Sequence, residues 1–143
     1  MERILVGMDS RESDLAPVIH AFNLAKRIQA KVFFLLTSRP ADGSLDRRSE
    51  EQGVVRRLEG LIDQARSEGV PVEYFVSEGT LESETIRFIQ QNAISLLVVG
   101  QPPDGGETSQ KHFRKTLENI RLRVDCHIEV VHQRNQSTVA EGK

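Results

Sequence analysis

The chain has 143 residues, of which 38% are hydrophobic and 28% charged, with a net charge of -2 and a pI near 6.1. That balance fits one globular domain with a real core and gives no general attraction to nucleic acid or to an anionic membrane surface. No apolar run approaches the ~20 residues that span a bilayer, and a single cysteine, Cys126, excludes an internal disulfide framework. The opening "MERILVGMDS" starts on a charged pair and turns at once into a strand pattern, unlike a signal peptide, so a cytoplasmic location without membrane insertion is expected.

Taken in chain order, "RILVGM" (3–8) and "KVFFLL" (31–36) are short apolar runs rich in β-branched and aromatic residues, the mark of strands buried on both faces. Between them Leu15, Val18, Ile19, Phe22, Ala25 and Ile28 recur at helical spacing and predict an amphipathic helix over 12–29. "SRPADGSLDRRSEE" (38–51) is polar without apolar periodicity and predicts a mobile loop. Val54, Val55, Leu58, Leu61, Ile62 and Ala65 predict a helix over about 49–68, with Gly69 as its stop signal.

"VPVEYFVS" (70–77) is a third, more polar strand, with Pro71 at its start, where the missing donor does least harm. Leu81, Thr85, Ile86 and Ile89 mark a helix over 81–92. "SLLVVG" (95–100) is the most hydrophobic strand and is therefore expected at the centre of the sheet. Phe113, Leu117, Ile120 and Val124 predict a fourth helix over 110–124, and "HIEVVH" (127–132) reads as a strand at an exposed edge. Residues 1–133 thus make one domain, and 134–143 a polar tail expected to be disordered.

Strands alternating with helices imply an α/β fold, a parallel sheet covered by helices on both faces, because each parallel pair needs a crossover. Such sheets bind ligands beyond the carboxyl ends of their strands, where the winding reverses. Two of those ends carry suggestive residues. Asp9 and Ser10 close the first strand, where a carboxylate can take a ribose hydroxyl or an adenine amino group, or where either residue can cap the next helix. Gly100 closes the fourth and permits close approach of a ligand, while Gly105-Gly106 can form a backbone anion nest. Lys111, His112, Arg114 and Lys115 read as a basic cluster at a helix start, either facing an anion or lying solvated. Pro102-Pro103 at the mouth of the same loop offer no N–H.

Other chemistries fail on spacing. His20, His112, His127 and His132 have no metal-ligand spacing, and Cys126 and His127 alternate across a strand, which leaves Cys126 as a small core residue. A receiver domain is excluded because the third strand ends "VSEG" and the fifth "VVHQ", without the acceptor aspartate and the lysine it needs. A P-loop is absent, as are the "HxGH" and "SGGxDS" motifs of nucleotidyl transferases and pyrophosphatase-type ligases.

Over residues 2–132 the chain resembles the universal stress proteins, with their adenine-nucleotide alpha-hydrolase-like fold. The motifs that carry the resemblance are "ILVGMDS", "APVIHAFNLAKRIQAKVFFLL", "GVPVEYFVSEGT", "SLLVVG" and "KTLENIRLRVDCHIEVV", in family order and spacing. The resemblance implies an open five-stranded parallel sheet in the order 3-2-1-4-5, with Asp9 and the loop after the fourth strand facing one cleft. It also implies a homodimer paired along the last strand, through Ile128, Val130 and His132.

ATP-binding members resemble Gly-x2-Gly-x9-Gly-Ser/Thr after the fourth strand. Here Gly100 matches the first glycine, Pro103 stands at the second, and Gly105 or Gly106 substitutes only with an insertion. Counting on from Gly105, Lys115-Thr116 takes the place of Gly-Ser/Thr. The resemblance therefore implies a small stress-response protein working by dimerisation and contact with a protein partner, without robust catalysis. The alternative is an adenine-nucleotide binder whose remodelled loop holds ATP with Mg and hydrolyses it slowly at most.

Overall fold

The chain lays down β1 (Arg3–Asp9), α1 (Ala16–Ile28), β2 (Lys31–Ser38), α2 (Leu45–Ser67) and β3 (Val72–Glu78) in turn. Then come α3 (Leu81–Gln91), β4 (Leu96–Gln101), α4 (Glu107–Arg123) and β5 (His127–His132). The structure, a computed structural model, describes residues 1–10, 14–38, 45–102 and 106–132, with the side chains of α2 described from Gln52 onward. All neighbouring strands are parallel, in the order β3-β2-β1-β4-β5, which is the expected topology.

Strand alternation divides the interior in two. Ile4, Val6, Met8, Val32, Phe34 and Leu36 point to the face covered by α1 and α2, where Val18, Phe22, Leu58 and Ile62 meet them. Leu5, Phe33, Leu35, Leu97 and Val99 point to the other face, against Ile86 and Ile89 of α3 and Ile120 of α4. Removing each such side chain from water contributes about 1.5–3 kcal/mol, which fixes which residues face inward and hence the register.

Several details differ from expectation. The polar stretch expected to be a loop over 38–51 is already helical from Leu45, and residues 39–44 lie outside the described set. Leu, Arg, Glu and Gln are good helix formers, so a helix runs there without an apolar stripe to announce it. In α1, Ile19 and Ile28 are exposed, while Pro17 and Ala21 take core positions beside Val18, Phe22 and Ala25. The strand at the centre of the sheet is β1, not β4, which lies between β1 and the edge strand β5. Helix α4 starts at Glu107, ahead of the expected 110. Cys126 is half-buried against the second core cluster rather than enclosed in it, and burial pushes its thiol up from the usual 9.0. The expected tail, 134–143, lies outside the described residues.

Candidate functional site

The sheet splits at its middle. β1 and β4 pair only at Ile4↔Leu96, Leu5↔Leu97 and Val6↔Val98. Beyond Val6 the rest of β1 stays with β2, ending at Asp9↔Thr37, and the rest of β4 stays with β5, ending at Gln101↔His132. The carboxyl ends of β1 and β4 therefore part company, and the helices that follow them, α1 and α4, pack on opposite faces of the sheet. This is the crevice at which open α/β sheets take ligands.

On the β1 side, Asp9 is half-buried and Ser10 is 8% exposed, its N–H donating to the Thr37 carbonyl at 2.7 Å. Neither caps α1. That helix begins at Ala16, and it is the Asp14 carboxylate (Oδ1) that accepts from the Ala16 N–H, at 2.9 Å. The capping alternative is thereby removed for both residues. By strand parity Asp9, Thr37 and Ser77 project to the α3 side of β1, β2 and β3. The Thr37 and Thr85 hydroxyls there are fully buried and find no hydrogen-bond partner among the described residues.

Helix α3 lies across these strand ends. Its Glu84, buried to 6% exposure, accepts from the Ser77 hydroxyl and, through Oε2, from Arg87 Nη2 at 3.0 Å. The turn before it passes so close that a Cβ on Gly79, at φ +145°, would stand 2.7 Å from Glu84 Oε2. Gly7 is also close to α3, less tightly, with Thr85 Oγ1 3.2 Å from where its Cβ would be. Two glycines and a buried carboxylate thus hold α3 down on the rim. The sequence signal for Glu84 was slight, a carboxylate on the apolar side of a helix.

On the β4 side the expected residues disperse. Gly100 sits within β4, paired to Val131. Gly105 lies outside the described residues, whereas Gly106 precedes α4 at φ 93°, ψ 172°, a conformation glycine adopts readily, and supplies no side-chain cap. Since α4 begins at Glu107, the basic residues Lys111 to Lys115 occupy its second and third turns, and an acid occupies its first. Lys115 is exposed and Thr116 half-buried, about 12 Å along the axis from the helix start at 1.5 Å per residue. What sequence reading missed is Gln110, whose Nε2 donates to the Pro102 carbonyl at 3.2 Å and whose Oε1 accepts from Gln101 at 2.9 Å, tying α4 to the end of β4. It also passed over Thr108 and Ser109, exposed hydroxyls in the first turn of α4, for which "GGETS" was the available signal.

A cavity of about 360 Å³ lies at the opposite, amino end of β4 and β5, lined by residues that include Asn92, Ser95, Arg123, Asp125, Cys126 and His127. Ligand sites of this fold class form at the carboxyl ends, so the split, not this cavity, is the candidate site. Among the described residues no cluster of three or more His, Cys, Asp or Glu is arranged to hold a metal, and no helix is long and apolar enough to cross a membrane. At the β5 edge, Ile128 and Val130 are half-buried and His132 is exposed.

A five-stranded parallel sheet in this order, split between β1 and β4, defines an α/β protein built to present a crevice at its carboxyl end. The universal stress protein family model matches residues 1–132, and the chain belongs to that family. No curated protein sequence matches it. Among solved structures it is similar to a universal stress protein described in complex with cAMP, at 20% identity and TM-score 0.67, over 92% of this chain and 96% of the other. It is similar as well to the universal stress protein UspA from Lactobacillus plantarum, at 20% identity and TM-score 0.63, over 91% and 97%. An Arabidopsis thaliana family protein with AMP bound aligns at 12% identity and TM-score 0.60, over 96% and 95%.

Proposed function

We propose that this universal stress protein acts as a small stress-response regulator, working as a homodimer and through protein contact rather than through turnover of a nucleotide. The observation that carries this reading is the start of α4. A triphosphate site in this position needs converging N–H donors and positive charge. The helix instead opens with Glu107, carries Lys115 about two turns further on, and follows a loop that begins Pro102-Pro103. Losing two charge-assisted donors costs about 1.5–3 kcal/mol each, and an exposed lysine far along the helix does not restore them. Phosphate release from ATP-Mg at the buffer background is the expected result; turnover that Asp9→Ala abolishes would refute it. For assembly along β5, Val130→Lys is expected to lower the mass measured by light scattering, and an unchanged mass would count against that edge.

A second reading has its own support in the split between β1 and β4. Asp9 stands at its rim, at the carboxyl end of β1, and neighbours of this fold are described with AMP or cAMP. On this reading the crevice takes an adenine nucleotide of low phosphate charge, with Asp9 on the ribose or base, Ser10 and Gly100 lining the approach, and little contribution from Gly105, Gly106, Lys115 or Thr116. Affinity for AMP should then fall on Asp9→Ala and stay level on Lys115→Glu. Equal loss from both substitutions would return the phosphate contact to α4.

A further inference from the structure

The two edges of the sheet are finished differently. Along β3 the Pro71 carbonyl accepts from Val32 N–H, and Gly79 N–H donates to the Ser38 carbonyl. Odd-numbered residues therefore bond inward to β2, while Val72, Tyr74, Val76 and Glu78 turn their main chain outward. Arg66 of α2 covers the first of these, donating from Nε and Nη2 to the Val72 carbonyl at 3.3 and 2.9 Å. Among the described residues nothing bonds the outward groups of Tyr74 and Val76. Phe75 is 38% and Val76 62% exposed, on opposite faces of the strand. On β5, by contrast, Ile128, Val130 and Val131 pack against the two core clusters. An open strand edge flanked by bare apolar side chains is a template for another strand.

We propose that the outer edge of β3 pairs with β3 of a second copy, antiparallel across a two-fold axis at Phe75, so that two sheets become one. Charge selects this occupant. The Val72 end of the edge carries Arg66, and the other end carries exposed Glu78. Antiparallel pairing sets Val72 opposite Glu78 of the second copy, so each Arg66 meets a carboxylate; parallel pairing would set like against like. The register also satisfies the backbone, because Tyr74 of one copy exchanges both main-chain bonds with Val76 of the other, and the reverse. Tyr74 and Val76 become cross-strand neighbours on one face, and Phe75 meets its own counterpart on the other. The interface is self-complementary, as a two-fold contact must be. It lies on the opposite edge from the β5 contact and does not depend on it; where both form, copies join edge to edge into assemblies larger than a dimer.

The test is cross-linking combined with mass. In a Cys126→Ser background, Phe75→Cys places two thiols at a non-hydrogen-bonded pair, where Cα atoms lie about 4.5 Å apart, within disulfide reach. The control Glu73→Cys leaves its thiols offset by about 14 Å along the strands. The expected result is a covalent dimer forming at least tenfold faster from Phe75→Cys than from the control, also when Val130→Lys is present. Val76→Lys, at an exposed position, should weaken self-association at least tenfold. Arg66→Glu should weaken it too, and Arg66→Glu with Glu78→Arg should restore it. Cross-linking at the control rate, a mass unchanged by Val76→Lys, or a chain that stays monomeric while another protein occupies the edge would overturn the proposal. Loss of mass on Val130→Lys alone, with Val76→Lys silent, would leave the β5 contact standing and remove this one.

Discussion

Helices α1 and α4 occupy matching places, each following one of the two strands that part at the crevice, yet they are held very differently. α1 buries Pro17, Val18, Ala21, Phe22 and Ala25, and its first turn is tied to Asp14. α4 is longer but fully buries only Ile120, begins at a glycine with no side-chain cap, and is tethered at its start through Gln110. The helix on the β1 side is fixed by the core whatever the site does. The helix on the β4 side is anchored by Ile120, with Phe113 and Leu117 packed at the margin of the second cluster, so its opening turns have more room to diverge without loss of fold. That is where this chain departs from the nucleotide pattern of its family.

The sharpest way to break the comparison is truncation. Phe22→Ala in α1 should cost about 3–5 kcal/mol, and Ile120→Ala in α4 about 2–3 kcal/mol, both by denaturant unfolding. Because Ile120 is the one fully buried residue of α4, Ile120→Ala should also raise hydrogen exchange throughout α4, whereas Phe22→Ala should leave exchange in α1 ranked with the rest of the core. A smaller effect is expected at the rim that α3 closes. Glu84→Ala removes the partner of Ser77 and Arg87 and should cost about 1–3 kcal/mol. Equal stability of that variant would mean the rim is not held by this carboxylate.

The smallest effect concerns Cys126, behind α4. Burial raises its pKa in the folded chain, so above its ordinary 9.0 the unfolded chain loses the thiol proton first. The associated stability is present below pH 9 and is lost as pH rises through the folded value. Cys126→Ser should flatten that alkaline slope in a pH series of melts.

Much of this was legible in the sequence, and what was hidden has identifiable causes. Apolar runs at 3–8, 31–36 and 95–100 gave three buried strands, because a strand covered on both faces needs continuous hydrophobicity. The order 3-2-1-4-5 came from resemblance alone, since periodicity carries no information about which strand lies beside which. The start of α2 at Leu45 was hidden because polar residues of good helix propensity leave no apolar stripe. In α1 the bulky Ile19 and Ile28 drew attention away from Pro17 and Ala21, whose small side chains let the helix sit close to the sheet. At the site, Asp9 was legible as a strand end, whereas β4 runs one residue past Gly100, to Gln101. The fate of Lys115 and Thr116 was not, because it depended on where α4 begins, and helix boundaries at a glycine without a side-chain cap are weakly signalled.

The most direct measurement is a thermal melt of the purified protein with ATP-Mg, with AMP and with neither, beside chromatography of any nucleotide released on denaturation. A ligand at 100 times its dissociation constant adds about 2.7 kcal/mol, which is a shift of several degrees for a domain of this size. The expected result is no shift with millimolar ATP-Mg and no triphosphate carried through purification, whether or not AMP gives a shift that Asp9→Ala removes. A shift of several degrees with ATP-Mg, lost on Lys115→Glu, would contradict the account and show that the loop and α4 still hold phosphate.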